Sequence, residues 1–426
     1  MWLKYPSDEE LNRLGICRST FDGNVFFKAQ LGGLCWFSNS WSVFYFISTI
    51  FGIFSGCGFA YGVFMEKEWE ALYEALHYIP LVVNITSTAA SYHYTQDEYL
   101  QVFRSIDKEM FDYEGTLDEQ AVEEIARMKT EARARKKKIS MIYTKLMIVA
   151  FICQTLRKPL NYIIDGRGKK DVDGENNLIW DVCPFGIYMP YADYWAPYLI
   201  GHFLCWSCSA FSAITAVASA LTYQAICEEL LADYSALDLT LSTIVQRAER
   251  LFSNMNRGFT GNASGTVTFD YCLEKCLKVS IKHHHEIIRL FNIVKKLLYI
   301  PLFFTIFDTG IVMCFSGFIM ISDDFSPKFK LLLSPVMLAE SGIAFMFCYY
   351  GEELTEMNKN IGNRIYFSQD WMKHFKSIKP YALTVKSYCD IPNELSAGGF
   401  TKVNRLAFSN ILSAAYSYVG LLLTTS

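Results

Sequence analysis

Seven apolar blocks divide this chain, and they restrict its fold more than any other feature. Trp41 to Phe64 is 24 residues without a charge, Trp195 to Cys227 is 33, and Leu406 to Ser426 is 21. A helix needs roughly 20 apolar residues to cross a bilayer core. Four further blocks, about Ala71 to Tyr94, Ile139 to Leu156, Leu297 to Ser322 and Leu331 to Gly351, carry an ionisable residue or sit beside one. Composition agrees: 52% of residues are hydrophobic and 19% charged, below the ~25% charged of ordinary globular chains. The fold class is therefore an all-α membrane protein with seven transmembrane helices, and an odd number puts the termini on opposite sides. Residues 1 to 40 lack the charged n-region, short apolar run and small-residue cleavage site of a signal peptide. The first span is expected to act as an uncleaved insertion signal.

Positive charge sets the expected orientation, because cytoplasmic loops collect Lys and Arg. With the N-terminus inside, the cytoplasmic pieces 1–40, 95–138, 226–296 and 352–405 hold 30 of the 39 basic residues. The outer loops hold 8, and Lys145 falls inside span 3. The inner pieces are longer, but Arg133, Arg135, Lys136, Lys137 and Lys138 sit directly against span 3, where the rule is strongest. The expected topology is N-terminus cytoplasmic, C-terminus extracellular. A G-protein-coupled receptor has the opposite topology, and its Asp/Glu-Arg-Tyr and Asn-Pro-x-x-Tyr elements are absent. The sequon at Asn84 lies inside span 2 and that at Asn262 in an inner loop, so neither is expected to be glycosylated. Of the 13 cysteines only Cys183 falls clearly in an outer loop, so no extracellular disulfide framework is implied.

Six segments follow: a cytoplasmic N-terminal segment (1–40), spans 1–4 with sensing outer halves (41–225), a cytoplasmic helical extension (226–296), spans 5–6 (297–351), a cytoplasmic anchor helix (352–402) and a last span (403–426). Residues 95 to 138 read as one solvated helix, acidic at Asp112, Glu114, Asp118, Glu119, Glu123 and Glu124 and basic at its end. The outer loop from about Arg157 to Asp193 is rich in turn residues, and Pro184 to Pro197 reads as an aromatic lid at the membrane surface. In the extension, Leu273, Cys276, Val279, Ile287, Leu290, Ile293 and Leu297 form an apolar stripe. Outside the bilayer, either this chain or a neighbouring subunit must cover it.

The segment Cys348-Tyr349-Tyr350-Gly351-Glu352-Glu353-Leu354 is followed by Tyr366 and Trp371, then Leu395-Ser396-Ala397-Gly398-Gly399-Phe400, then a last span with Phe408 and Tyr416-Ser417-Tyr418. This order resembles the insect odorant receptor family, in which the sixth span ends in Cys-x-x-Gly-x-x-Leu, a Trp follows, and a Gly-Phe precedes a last span with a Ser-Tyr-Ser-Tyr-like element. His283-His284-His285 before span 5 is similar too, whereas Ala415 stands where that family often has Ser. The match covers about residues 270 to 426 and is loose before that. The Thr-Tyr and Gln-Phe elements of the related gustatory receptors are missing from the last span.

The resemblance implies a tuning subunit that joins a co-receptor in a heterotetramer, with the cytoplasmic helices as oligomer anchor. A volatile odorant would open a non-selective channel for Na, K and Ca ions, in the plasma membrane of a sensory dendrite. The odorant would bind among the outer halves of spans 2, 3, 4 and 6: at His77, Tyr78 and Leu81; at Phe151, Gln154 and Thr155; at Tyr198, His202, Phe203 and Trp206; and at Met337 and Glu340. His202 and Glu340 stand either as ligand contacts or as polar groups tying helices together, since ionisable groups in a membrane are costly. Asp308 and Lys145 read as structural. In the last span, Ala414, Ser417, Leu421, Thr424 and Thr425 share one helical face, and four copies of Leu421 would make a constriction that gates by dewetting.

Alternative readings are a gustatory-type or homotetrameric channel and a transporter, although no internal repeat is visible. Cys205-Trp206-Ser207-Cys208 has redox spacing but lies inside an uncharged span, where a thiol is inert. Cys272 and Cys276 with the downstream histidines match no common zinc spacing. No nucleotide loop, hydrolase motif or nucleic-acid patch is present, so no cofactor or nucleic-acid partner is implied and the chain does not read as an enzyme.

Overall fold

A computed structural model of the chain describes residues 8–9, 12, 39–66, 69–106, 111–164, 195–257, 267–323, 325, 327–391 and 393–425. The helices run in order α1 (Asn39–Glu66), α2 (Trp69–Tyr94), α3 (Gln96–Ile106), α4 (Glu119–Ile164), α5 (Trp195–Ser242), α6 (Ile244–Arg257), α7 (Phe269–Ile321), α8 (Pro327–Arg364) and α9 (Phe375–Asp390). A hairpin of β1 (Ser396–Ala397) and β2 (Thr401–Lys402) leads into α10 (Arg405–Thr425). Every apolar block of the sequence falls on a helix: in order α1, α2, α4, α5, α7, α8 and α10. Four of the described helices, α1, α5, α7 and α8, are long and apolar enough to cross a membrane. Of the outer loop expected from about Arg157 and the lid expected to Pro197, 157–164 continue α4 and 195–197 begin α5, while 165–194 lie outside the described residues, as does Asn262.

Helix α7 shows how the bundle is built. Thr268 starts it by accepting the Tyr271 amide at its side-chain oxygen, 3.3 Å away, with Asp270 in the first turn. Its 53 residues at 1.5 Å each span about 80 Å, whereas a bilayer core is ~30 Å thick. More than half of α7 must therefore find cover elsewhere. It packs along α2 and α10 at one end, meets the hairpin near its middle and lies along α6 and α9 at the other end, while α4 lies against α5 and α8. The cover for the apolar stripe is this chain's own: Leu273, Cys276, Val279, Ile287, Leu290 and Leu297 are buried and Ile293 half-buried. No neighbouring subunit is needed for that stripe.

The segment expected as one solvated helix over 95–138 is instead α3, a turn and the start of α4. Glu114 and Gly115 take positive φ (52° and 71°), and the Glu114 amide donates to Asp112 Oδ1 at 2.8 Å, which breaks the helix. The acidic residues of that turn pair across the fold, Glu114 with Lys282 at 2.8 Å and Asp118 with Arg250. Deeper in, Lys129 lies 3.0 Å from Asp233 and 3.9 Å from Glu229. Burial pushes the Lys136 ammonium below the usual lysine range despite Glu229 and Glu228 nearby. Burial likewise raises the Cys389 thiol to about 12, beside His284 Nε2 at 3.6 Å.

Arg247 on α6 ties this end together. It is 2% exposed. Its guanidinium donates to the Thr116 carbonyl and hydroxyl (3.3 and 2.6 Å), the Thr240 carbonyl (3.0 Å) and Ser280 Oγ (3.0 Å), and lies 5.5 Å from the Tyr113 ring centre. One side chain thus joins the 111–118 turn to α5, α6 and α7. Arg247→Met should leave these acceptors unsatisfied and cost about 3 kcal/mol. Arg247→Lys should restore little of it, because an ammonium cannot reproduce the planar fork. Thermal unfolding of the solubilised chain measures both; an unchanged midpoint for Arg247→Met would contradict this role.

Candidate functional site

Two adjoining cavities open in the bundle, the larger among α2, α4, α5 and α8 and the smaller among α2, α5, α7 and α8. The larger, 70 Å³, is lined by Tyr78, Leu81 and Ile85 of α2, Met147, Ala150 and Phe151 of α4, Ser209, Ser212, Ala213 and Ala216 of α5, and Val336, Ala339 and Glu340 of α8. The smaller, 20 Å³, shares Leu81, Ile85, Ala216 and Glu340 with it and adds Asn84, Thr88, Thr215, Ser219, Thr305 and others. Small side chains on α5 leave the space, and aromatic and branched side chains on the facing helices frame it. The first chamber is apolar apart from hydroxyls and Glu340. The second is rich in hydroxyls and an amide. An open apolar groove of 270 Å³ between α4 and α5 shares Met147, Phe151 and Ala213 with the larger chamber and so runs up to its wall.

Four of the sequence-expected ligand residues stand on the cavity wall: Tyr78, Leu81, Phe151 and Glu340. The side chains of His77, Gln154, Tyr198 and His202 lie outside the described residues. The remaining four sit elsewhere. Thr155 donates its hydroxyl to the Phe151 carbonyl at 2.8 Å. Phe203 is 60% exposed and faces Phe44 of α1, centroids 6.1 Å apart. Trp206 and Met337 are half-buried off the wall. On α5 the cavity wall begins at Ser209, roughly a turn or two beyond Phe203 and Trp206. The run of Ser209, Ser212, Ala213 and Ala216 at helical spacing carried that signal, since small residues on one face leave room.

On α8, Pro335 cannot donate to the Leu331 carbonyl, and Ser334 Oγ donates to it instead at 2.9 Å. The Tyr78 hydroxyl donates to Cys208 Sγ at 3.3 Å, which accounts for one half of the redox-spaced pair; Cys205 and Cys208 are both buried and form no disulfide. Among the described residues no group of three or more His, Cys, Asp or Glu gathers for a metal, and Cys272 meets Met255 Sδ at 4.0 Å.

The segment Cys348 to Leu354 on α8 forms a joint with the base of α10. A Cβ on Gly351 would lie 2.3 Å from the Val403 carbonyl oxygen, so only glycine permits this approach. Tyr350 donates to Glu228 Oε1 on α5 at 2.7 Å. Glu352 accepts the Arg405 amide at 2.8 Å, Glu353 pairs with the Arg405 guanidinium, and that guanidinium lies 5.1 Å from the Tyr349 ring centre. Asn404 Oδ1 caps α10 by accepting the Ala407 amide at 2.8 Å. The hairpin is pinned to α7: Gly398 and Gly399 take positive φ (58° and 77°), and the Tyr299 hydroxyl donates to the Gly398 carbonyl at 2.8 Å.

Helix α10 then lies against α7 and α8 through Ala407, Ala415 and Val419, the last packed with Phe318, Ile319, Phe325 and Leu333. Ala414, Ser417 and Leu421, expected on a pore face, are exposed on another side of the helix. Leu421 is 58% exposed. Thr424 and Thr425 end the helix with side chains outside the description.

A family model described as 7tm Odorant receptor matches residues 68–416. Among solved structures, the insect olfactory receptor OR5 from Machilis hrabei superposes with a TM-score of 0.73 at 11% identity, covering 98% of each chain. The same receptor in complex with eugenol gives 0.70 at 9% identity, over 96% of this chain and 100% of that one. At these identities the structural likeness shows the fold. No curated protein matches the chain in sequence.

Gly351→Ala should force α8 away from the Val403 carbonyl at a cost of about 1–3 kcal/mol. The same substitution at Gly342, where nothing lies within 4 Å of a Cβ, should be neutral or mildly stabilising. Thermal midpoints of the two variants, with proteolysis of the 393–404 segment as a local readout, check the contrast. Equal behaviour would remove the joint's steric basis.

Proposed function

This chain belongs to the odorant receptor family, and from that membership we propose that it is the odorant-sensing subunit of a ligand-gated cation channel. The observation that carries the reading is one helix with two duties. The inner face of α8 lines the cavity at Val336, Ala339 and Glu340, and the same helix grips the base of α10 through residues 348–354. From Glu340 to Tyr349 is about 14 Å of unbroken helix. A ligand that changes how α8 sits against α4 and α5 shifts the base of α10 with it.

Seven spans with a cytoplasmic N-terminus are part of the proposal, supported by the seven helical blocks and the basic cluster at 133–138. The odorant is small, volatile and largely apolar, held mainly by burial at about 25 cal/mol per Å². It enters from lipid through the α4–α5 groove. The exposed face with Ala414, Ser417 and Leu421 lines a central pore in a tetramer, and Leu421 forms the constriction. The partner is a co-receptor of the same family, and the permeant ions are Na, K and Ca. The missing gustatory elements in the last span favour a tuning subunit over a self-sufficient channel.

Whole-cell current with a panel of volatiles, with and without a family co-receptor, tests this. The expected outcome is current only on co-expression. Ala213→Trp, which fills the wall between groove and cavity, should abolish the odorant response while surface expression persists. Leu421→Ala should raise ligand-free current. Odorant responses that survive Ala213→Trp unchanged would place the sensor elsewhere.

A further inference from the structure

Glu340 is the one ionisable group, tyrosine aside, on the wall of the larger cavity, and it lines the smaller one too. It is 6% exposed and makes no hydrogen bond or ion pair with any described residue. Asp308 of α7 lies close enough to repel it. Asp308 Oδ2 accepts from Asn84 Nδ2 at 3.0 Å, while Oδ1 is buried without a partner. The buried Tyr143 hydroxyl, also without a partner, is within electrostatic reach of Glu340. Among the described residues no Lys, Arg or His meets either carboxyl.

Two buried carboxyls with no cation are costly, and removing water from a charge without a counter-charge is what proteins avoid. What this site lacks is a cation; what surrounds it is an apolar chamber. We propose that the cavity takes a small volatile amine. Its ammonium pairs with Glu340, backed by Asp308, and its hydrocarbon part lies toward Met147, Phe151 and Val336. The 20 Å³ chamber has room for one group of about the size of a water molecule, which an ammonium head matches. The amine crosses lipid uncharged. It takes a proton from the carboxyl pair: an O–H bond breaks, an N–H bond forms, and ammonium and carboxylate remain with no change in net charge. This inference rests on the reading of the cavity as the odorant site.

Isoamylamine and isoamyl alcohol have the same shape and differ in the charge they can carry. Ligand-induced shifts in the thermal midpoint of the full-length receptor in nanodiscs give both affinities. The amine should bind at least ~10-fold more tightly than the alcohol. Glu340→Gln should erase that preference and leave alcohol binding unchanged; Asp308→Asn should reduce it, and carries the test if Glu340→Gln does not fold. Equal or tighter binding of the alcohol to the unsubstituted receptor would overturn the inference and leave the odorant cavity standing. An amine preference that survives both substitutions would overturn it as well. Stabilisation by sodium chloride over choline chloride, dependent on Glu340 and without amine preference, would replace it with a sodium site. If neither ligand binds, the inference and the cavity's role as odorant site fall together.

Discussion

Burial of apolar side chains away from water, at the end of the bundle that outruns any bilayer, is the interaction on which the rest depends. In lipid, one apolar side chain against another gains little over contact with acyl chains. In water the same burial is worth about 25 cal/mol per Å². The extensions of α5, α7 and α8, with α6 and α9 between them, bury Leu237, Leu273, Leu277, Ile361 and Ile378 to 0% exposure. Arg247 and the Lys129 ion pairs sit within that packing. Cohesion concentrated there lets the other half of the bundle be looser. There α5 presents small residues to its neighbours, and that half holds the cavities. A sensor that must admit a ligand needs such a half, and a protein that is loose there must be held together somewhere else.

This division makes α8 the element that joins the two properties. At its cavity end it carries Pro335, whose lost backbone bond is taken up by Ser334. At the other end it is clamped to α5 by Tyr350 and Glu228 and to α10 by Glu352 and Glu353. Packed interfaces of this kind shift between discrete arrangements more readily than they deform. The pairings of Arg405 are surface-exposed in part, so each is weak alone. The close approach at Gly351 supplies what they do not: a steric register between α8 and the chain entering α10.

How much of this could be read from residues differed by scale. Apolar blocks located the seven long helices, three of them on runs of 21 to 33 uncharged residues, which have few other uses. The order of Cys348, Gly351, Leu354, Trp371 and Phe400 pointed to the family, and the structure shows why Gly351 is there. Register within a span was not legible. An uncharged helix such as α5 has apolar residues on all faces, so periodicity could not say that Ser209 and Ser212 face the cavity while Phe203 faces outward. Arg247 is not legible locally, because a basic residue in a charged stretch reads as solvated; its partners are carbonyls and hydroxyls from 116, 240 and 280, which no local pattern connects. The break between α3 and α4 turns on Gly115, a single glycine in a stretch whose charge pattern by itself fits a solvated helix.

The buried charges themselves divide by the same scale. Around α6 and the 111–118 turn, the buried charges among the described residues are answered within the chain: Lys129 by Asp233 and Glu229, Glu228 by Tyr350 and Arg135, Arg247 by four donated hydrogen bonds and a ring face. Answering a buried charge is therefore something this sequence does readily. Between α7 and α8 it does not: Asp308 has one amide and Glu340 has none. Replacement of either by an apolar residue of similar size would relieve the cost if structure were the only demand. A carboxyl left unpaired on the wall of a cavity, with a second behind it that has a single amide, in a chain that pairs the other buried charges among its described residues, is a group whose partner arrives from outside the chain.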